Sequence, residues 1–287
     1  MRYLESFKLP GEMQEYGIIC KKKNVHNTLY PMRIFPERGL SKVDFDEITI
    51  FYGGNGSGKT TLLQIISEKI GASRKNICDL GELFANYVQE CQYSKGNVRS
   101  NQTRLILSDD VFDYLLCQRA ENSNISLKKE LLSAQYKMYK SASSQEFDPL
   151  DDIDKLKRLN EARSLTESAY IRRHLGKNIE IPASNGETAL EFWNREIDRD
   201  SLYLVDEPEN SLSAENQIKL RDFIEVSARF YGCQFIIATH SPFLLSLKNA
   251  LIYNLDLNPV RTQRWTELEN VRTYYNFFME NQCEFDE

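Results

Sequence analysis

The run Gly53-Gly54-Asn55-Gly56-Ser57-Gly58-Lys59-Thr60-Thr61 has the residue types and spacing to hold a polyphosphate. It fits the pattern G-x-x-x-x-G-K-[ST] of a phosphate-binding P-loop. Glycines let the backbone curl tightly, so successive N–H groups converge on one anion. In such a loop Gly53, Asn55, Gly56, Ser57, Gly58 and Thr61 surround the phosphates. Lys59 reaches the β- and γ-phosphates, and the Thr60 hydroxyl can ligate Mg²⁺. The flanks must present the loop. Ile48–Tyr52 reads as a buried strand leading in. Thr61–Ile66 reads as the helix leaving it, with its positive N-terminal end under the phosphates. A chance glycine loop would not bring both.

Later residues add hydrolytic groups. The apolar run Ser201–Val205 ends in Asp206-Glu207. Asp206 is expected to hold Mg²⁺, directly or through water, and Glu207 to polarise the attacking water as general base. Adjacent carboxylates at a strand end are usually solvated loop charges; the strand before them and Pro208 after them favour a site. The next strand, Gln234–Ala238, delivers Thr239-His240-Ser241-Pro242. A histidine there lies where open α/β sheets bind ligands, within reach of a γ-phosphate and its attacking water. A lone histidine is more often structural, and only its place in this series lifts His240 above that.

Ser184-Asn185-Gly186-Glu187 is by itself a good turn. It also resembles the signature S-x-G-[E/Q] of ATP-binding cassette (ABC) ATPases in their soluble form. P-loop, signature, Walker B carboxylates, Asn210-Ser211-Leu212-Ser213 at the D-loop position and the switch histidine follow in ABC order. Asp206-Glu207-Pro208-Glu209-Asn210-Ser211-Leu212 and Thr239-His240-Ser241-Pro242-Phe243-Leu244-Leu245 resemble the soluble RecF, OLD and SMC-like groups rather than transporter cassettes. Nearly end to end, the chain is similar to small bacterial predicted ATPases of the AAA_21 type, related to ATPase subunits of anti-phage systems such as Septu. Ser108–Leu116 and Trp265–Arg272 share in that similarity.

The resemblance implies an α/β P-loop NTPase with ABC ATPase head architecture: a mixed or parallel sheet core plus an inserted helical lobe. It implies ATP and Mg²⁺ as cofactors. It further implies a homodimer that sandwiches two Mg–ATP, with Ser184 and Gly186 of one subunit closing on the γ-phosphate held by the other. Lys59 and His240 would stabilise charge on the transferred phosphoryl group, Glu207 would act on water, and Thr60 and Asp206 would place the metal. The implied role is a switch over a protein effector, such as a nuclease or toxin in phage defence. The Q-loop glutamine is the departure. Gln89, Gln92 and Gln102 lack its local context. If Thr103–Leu107 is the preceding strand, the position falls at Ser108-Asp109-Asp110, where Ser108 or Asp109 also reads as the N-cap of a helix from Val111.

Length and composition set bounds. A chain of 287 residues suits one α/β domain, with 1–107 and 184–287 as nucleotide-binding core and 108–183 as a charged helical lobe broken at Asp148-Pro149. No apolar run approaches the ~20 residues of a membrane span, and the N-terminus lacks a signal-peptide pattern. Six cysteines scattered without a C-x-x-C pair fit reduced thiols in the cytoplasm. A net charge of −6 gives no global footprint for nucleic acid, and the local basic clusters have acidic neighbours. Nucleic acid stays open as a partner, and the rival readings are a DNA-repair ATPase that clamps DNA directly and a transporter's ATPase subunit. Residues Arg261–Glu287 read as a helix whose Trp265, Leu268, Val271, Tyr274, Tyr275 and Phe278 lie near one apolar side, packing on the core or, as the lesser reading, docking a partner. Phe35 is a candidate for contacting adenine.

Overall fold

The computed structural model describes residues 1–20, 29–75, 81–141, 153–175, 185–210 and 212–285. They fall into two compact units. One comprises Met1–Phe112 and Ala189–Glu287, the other Asp113–Thr188.

The first unit is built on two sheets. Strands β1 (Leu4–Lys8), β2 (Lys42–Asp44) and β4 (Gln92–Lys95) form an antiparallel sheet in the order β2-β1-β4. The second sheet contains β3 (Ile48–Tyr52), β5 (Thr103–Ile106), β6 (Leu202–Asp206), β7 (Gln234–Ala238), β8 (Leu251–Asn254) and β9 (Arg261–Thr262), in the order β5-β6-β7-β3-β8-β9. Its first five strands run parallel and β9 is antiparallel. Every residue of β3, β6 and β7 is buried. That explains why these strands read as unbroken apolar runs: a parallel sheet covered on both faces has no polar side to alternate.

Helices α1 (Glu12–Cys20), α2 (Lys59–Ile70) and α3 (Gly81–Glu90) precede β4. Leu62, Leu63, Ile65 and Ile66 of α2 join Phe84, Tyr87 and Val88 of α3 in the core of this unit. α7 (Asn185–Glu196) leads to β6, α8 (Ala214–Phe230) joins β6 to β7, and the short α9 (Pro242–Leu245) follows β7. Ser213 caps α8, its side chain accepting from Asn216 N. A buried side chain helps to tie the two sheets. Gln234 Oε1 accepts from Tyr3 N at 2.7 Å and Leu4 N at 2.9 Å, while Nε2 donates to Leu4 O and Asp46 O.

The second unit is helical. It contains most of α4 (Ser108–Ser141), then α5 (Ile153–Ser164) and α6 (Glu167–Leu175). Leu132, Tyr136, Tyr139, Leu159, Ala162 and Tyr170 make its core. The expected break at Asp148-Pro149 lies outside the described residues.

Three sequence expectations are corrected. The C-terminal helix does not begin at Arg261: that stretch is β9 and a 3₁₀ turn (Trp265–Glu267), and α10 runs only over Glu269–Glu280. Of its apolar stripe, Leu268 and Val271 are buried, whereas Trp265, Tyr274, Tyr275 and Phe278 are 39–53% exposed. They line an open cavity of 740 Å³ beside His240. The helix is anchored at its start and then runs off the core, so the same periodicity serves two environments. At α4 the capping carboxylate is Asp110, not Ser108 or Asp109: its Oδ2 accepts from Leu107 N at 2.9 Å. Phe35 is 1% exposed, packed beneath Gly58, and presents no face to a base.

Candidate nucleotide site

The P-loop leaves the central strand β3 and enters α2. Gly56 and Gly58 have φ of 78° and 96°, values that side chains rarely adopt. Gly53 is required for space: a Cβ there would lie 2.5 Å from Ser57 Oγ and 3.1 Å from Asp256 Oδ1. Ser57 is buried and its hydroxyl lies inside the loop, so what it offers an anion is main chain. Asn55 and Gly56 form the exposed crown. Lys59 is 5% exposed, its Nζ donating to Gly53 O at 2.8 Å and Gly54 O at 3.1 Å. The loop carbonyls thus hold the ammonium over the loop. The Thr61 hydroxyl accepts from Tyr30 Oη at 3.0 Å.

The register of the sheet brings Walker B to the loop. β6 is separated from β3 only by β7, and Asp206 pairs with Ala238. Thr60 Oγ1 lies 3.1 and 2.8 Å from the two carboxylate oxygens of Asp206. Burial above all, with Glu207 and Glu209 nearby, pushes the Asp206 carboxyl up to about 6, against the lowering effect of Thr60 and Lys59. A hydroxyl and one carboxylate are hard oxygen donors. Among the described residues no group of three or more His, Cys, Asp or Glu side chains could hold a metal unaided. The Thr60–Asp206 donor pair fits Mg²⁺, which is commonly bound by one or two carboxylates together with substrate phosphates.

Glu207 follows at φ 44°, in the left-handed region. Its N–H donates to Ala238 O at 2.9 Å, continuing the β6–β7 ladder, and this bond sets its place. Such strain in a non-glycine residue costs on the order of 1 kcal/mol and clusters at functional sites. The side chain turns toward the loop. Oε1 is 3.8 Å from Lys59 Nζ and 3.9 Å from His240 Nδ1, and Oε2 accepts from Asn210 Nδ2 at 3.1 Å. Lys59, Thr60, Asp206, Glu207 and His240, spread over most of the sequence, therefore meet at the C-terminal ends of three adjacent parallel strands. Ser184 lies outside the described residues. Gly186 lies in the first turn of α7, whose packing there is not described.

Residues 188–246 match a protein-family model described as AAA_21: AAA domain, putative AbiEii toxin, Type IV TA system. The matched stretch holds the Asp206-Glu207 strand end and the His240 turn, about a fifth of the chain. No curated protein matches the chain significantly. Solved structures similar to this chain include the Smc head domain of Pyrococcus furiosus bound to the C-terminal domain of ScpA, at 14% identity over 98% of this chain and 100% of that one, TM-score 0.40. The SMC head domain of Thermotoga maritima is 12% identical over 92% and 99%, TM-score 0.38. A putative metal-chelate type ABC transporter is 17% identical over 79% and 76%, TM-score 0.34. Superpositions this loose add nothing to the fold read from the strands themselves. Among the described residues no helix is long and apolar enough to cross a membrane.

Three residues of the site escaped the sequence reading. Asp256 follows β8 and accepts from Gly54 N at 3.1 and 2.9 Å, fixing the loop from below. The strand-end rule that singled out His240 applies to it equally. Glu209 contacts the His240 turn, and Tyr30 contacts Thr61; neither carries a spacing signal.

Proposed function

We propose that this protein binds Mg–ATP and hydrolyses it to ADP and phosphate. The observation that carries the reading is the Thr60–Asp206 contact beside Lys59 and Glu207. When bound, Mg²⁺ neutralises charge on the β- and γ-phosphates. Lys59 withdraws further charge from the γ-phosphate. Glu207, oriented by Asn210, holds the attacking water and takes its proton, and His240 stabilises the γ-phosphate as it leaves. The test is phosphate release from ATP. It should depend on Mg²⁺ and fall at least a hundredfold in Lys59→Ala and in Glu207→Gln.

Two subunits are proposed to enclose two nucleotides, Ser184 and Gly186 acting across the interface, with hydrolysis opening the pair. Ordered ABC motifs support this, and light scattering of Glu207→Gln with and without Mg–ATP tests it. A dimer should form with ATP and not form in the additional variant Ser184→Arg. The nucleotide state is further proposed to control a protein effector in the cytoplasm, in a defence role. The description of the matching family model names a putative AbiEii toxin of a Type IV TA system, and it is the only support for a defence setting.

A further inference from the structure

One buried carboxylate beside the site has no part in the chemistry above. Glu209 is 6% exposed. Its Oε1 accepts from Thr239 Oγ1 at 2.6 Å, His240 N at 3.0 Å and Ser241 N at 3.2 Å, and lies 3.3 Å from His240 Nδ1. Its Oε2 is buried and has no hydrogen-bond partner among the described residues. The turn that it holds is closed on other sides by Ser241 Oγ to Gln217 Oε1 at 2.6 Å and by Asn270 Nδ2 to His240 O at 2.8 Å.

Anchoring this turn does not require a charge. The carbonyl oxygen of a glutamine could accept from the same three donors. A carboxylate in this place costs more, because an ion is buried with one oxygen unsatisfied. What it alone supplies is a negative charge next to the imidazole. We infer that Glu209 is a positioning residue for His240, fixing the Thr239–Ser241 turn and holding Nδ1 as the protonated nitrogen that faces the carboxylate. Nε2 is then the nitrogen left for a ligand. Outer carboxylates orient metal-bound and catalytic histidines in the same way, by setting tautomer and ring direction together.

The surroundings of the ring agree. From the β6 side Glu207 Oε1 is 3.9 Å from Nδ1, and its nearest cation is Lys59 at 3.8 Å. From α10, Arg272, Tyr274 and Tyr275 line the cavity on which His240 opens. Glu209 is the nearer carboxylate and the more deeply buried one, so it governs the ring. The catalytic consequence rests on the role proposed for His240; the state of the ring does not.

Glu209→Gln separates the two contributions of this residue, since it keeps the acceptor and removes the charge. The imidazole resonances of the ¹⁵N-labelled, nucleotide-free protein are titrated by NMR, and the His240 signal is assigned by its loss in His240→Asn. In Glu209→Gln the preference for the Nδ1–H tautomer should weaken, and the melting temperature should move little. In ATP turnover, Glu209→Gln should add no loss on top of His240→Asn. If Glu209→Gln does not fold, the same titration of Glu209→Asp decides, because a shorter side chain also draws the charge from the ring. A His240 tautomer preference unchanged by either variant, or losses that multiply independently of His240, would reduce Glu209 to a turn anchor and overturn the inference. Absence of ATP turnover in the unaltered protein would defeat the ATPase reading alone, since the titration needs no nucleotide.

Discussion

The Thr60 hydroxyl bridges both carboxylate oxygens of Asp206, at 3.1 and 2.8 Å, across 146 residues of sequence. Two separate motifs become one site through that contact, and the parallel ladder β6-β7-β3 is what brings them together. The arrangement is strained electrostatically: the Asp206 carboxyl is buried and pushed up to about 6. Its ordinary value is 3.8. The fold bears the cost of burying this carboxyl.

That cost has a sign and a pH window. A carboxylate whose folded value is raised favours the fold when protonated. Its contribution is fully present below about pH 4 and is lost as pH rises toward 6. Above that the folded protein carries the whole penalty, on the order of 1–3 kcal/mol. Asp206→Asn should therefore stabilise the metal-free protein at pH 7 while abolishing Mg²⁺-dependent turnover. Thermal melts between pH 4 and 8 check this: the gain should be near zero at the acid end, grow through pH 4–6 and then level off.

Glu207 adds backbone strain to the same region, through its φ of 44°. Glu207→Gly should keep or raise the melting temperature, because glycine adopts that φ without cost. It should lose turnover as fully as Glu207→Gln does. Paired melting and phosphate-release assays read both effects.

Gly53→Ala tests the geometry of the loop. The added methyl meets Ser57 and Asp256, and the loop must open to accept it. Affinity for ATP should fall by at least tenfold with the fold intact, measured by calorimetric titration. Shortening the obstacle through Ser57→Gly should restore part of the loss.

Gln234 is a structural rather than a chemical test. Its side chain satisfies Tyr3 N, Leu4 N, Leu4 O and Asp46 O in the core. Gln234→Leu leaves all four without it and should cost on the order of 3 kcal/mol. The melting temperature should drop by about 5–10 °C.

Much of this was legible in the residues alone, because a parallel strand buried on both faces is an unbroken apolar word. Ile48–Tyr52 and Gln234–Ala238 were read with the bounds they have. The P-loop was legible because its glycines are fixed by conformation and space. Long-range polar contacts were not. Asp256 beneath Gly54, Glu209 behind His240 and Gln234 between the sheets are single polar residues whose partners lie 30 to 231 residues away. No local pattern encodes such pairs. The α10 stripe misled for another reason: periodicity reports which face is apolar, not whether anything covers it, and Tyr274, Tyr275 and Phe278 stay exposed.

The most direct measurement is a single-turnover experiment with radiolabelled ATP and Mg²⁺, comparing the unaltered protein with Glu207→Gln. Both should bind ATP, the unaltered protein should convert it to ADP and phosphate, and Glu207→Gln should hold it intact. Hydrolysis by Glu207→Gln at the unaltered rate, or failure of both proteins to bind ATP, would contradict the account.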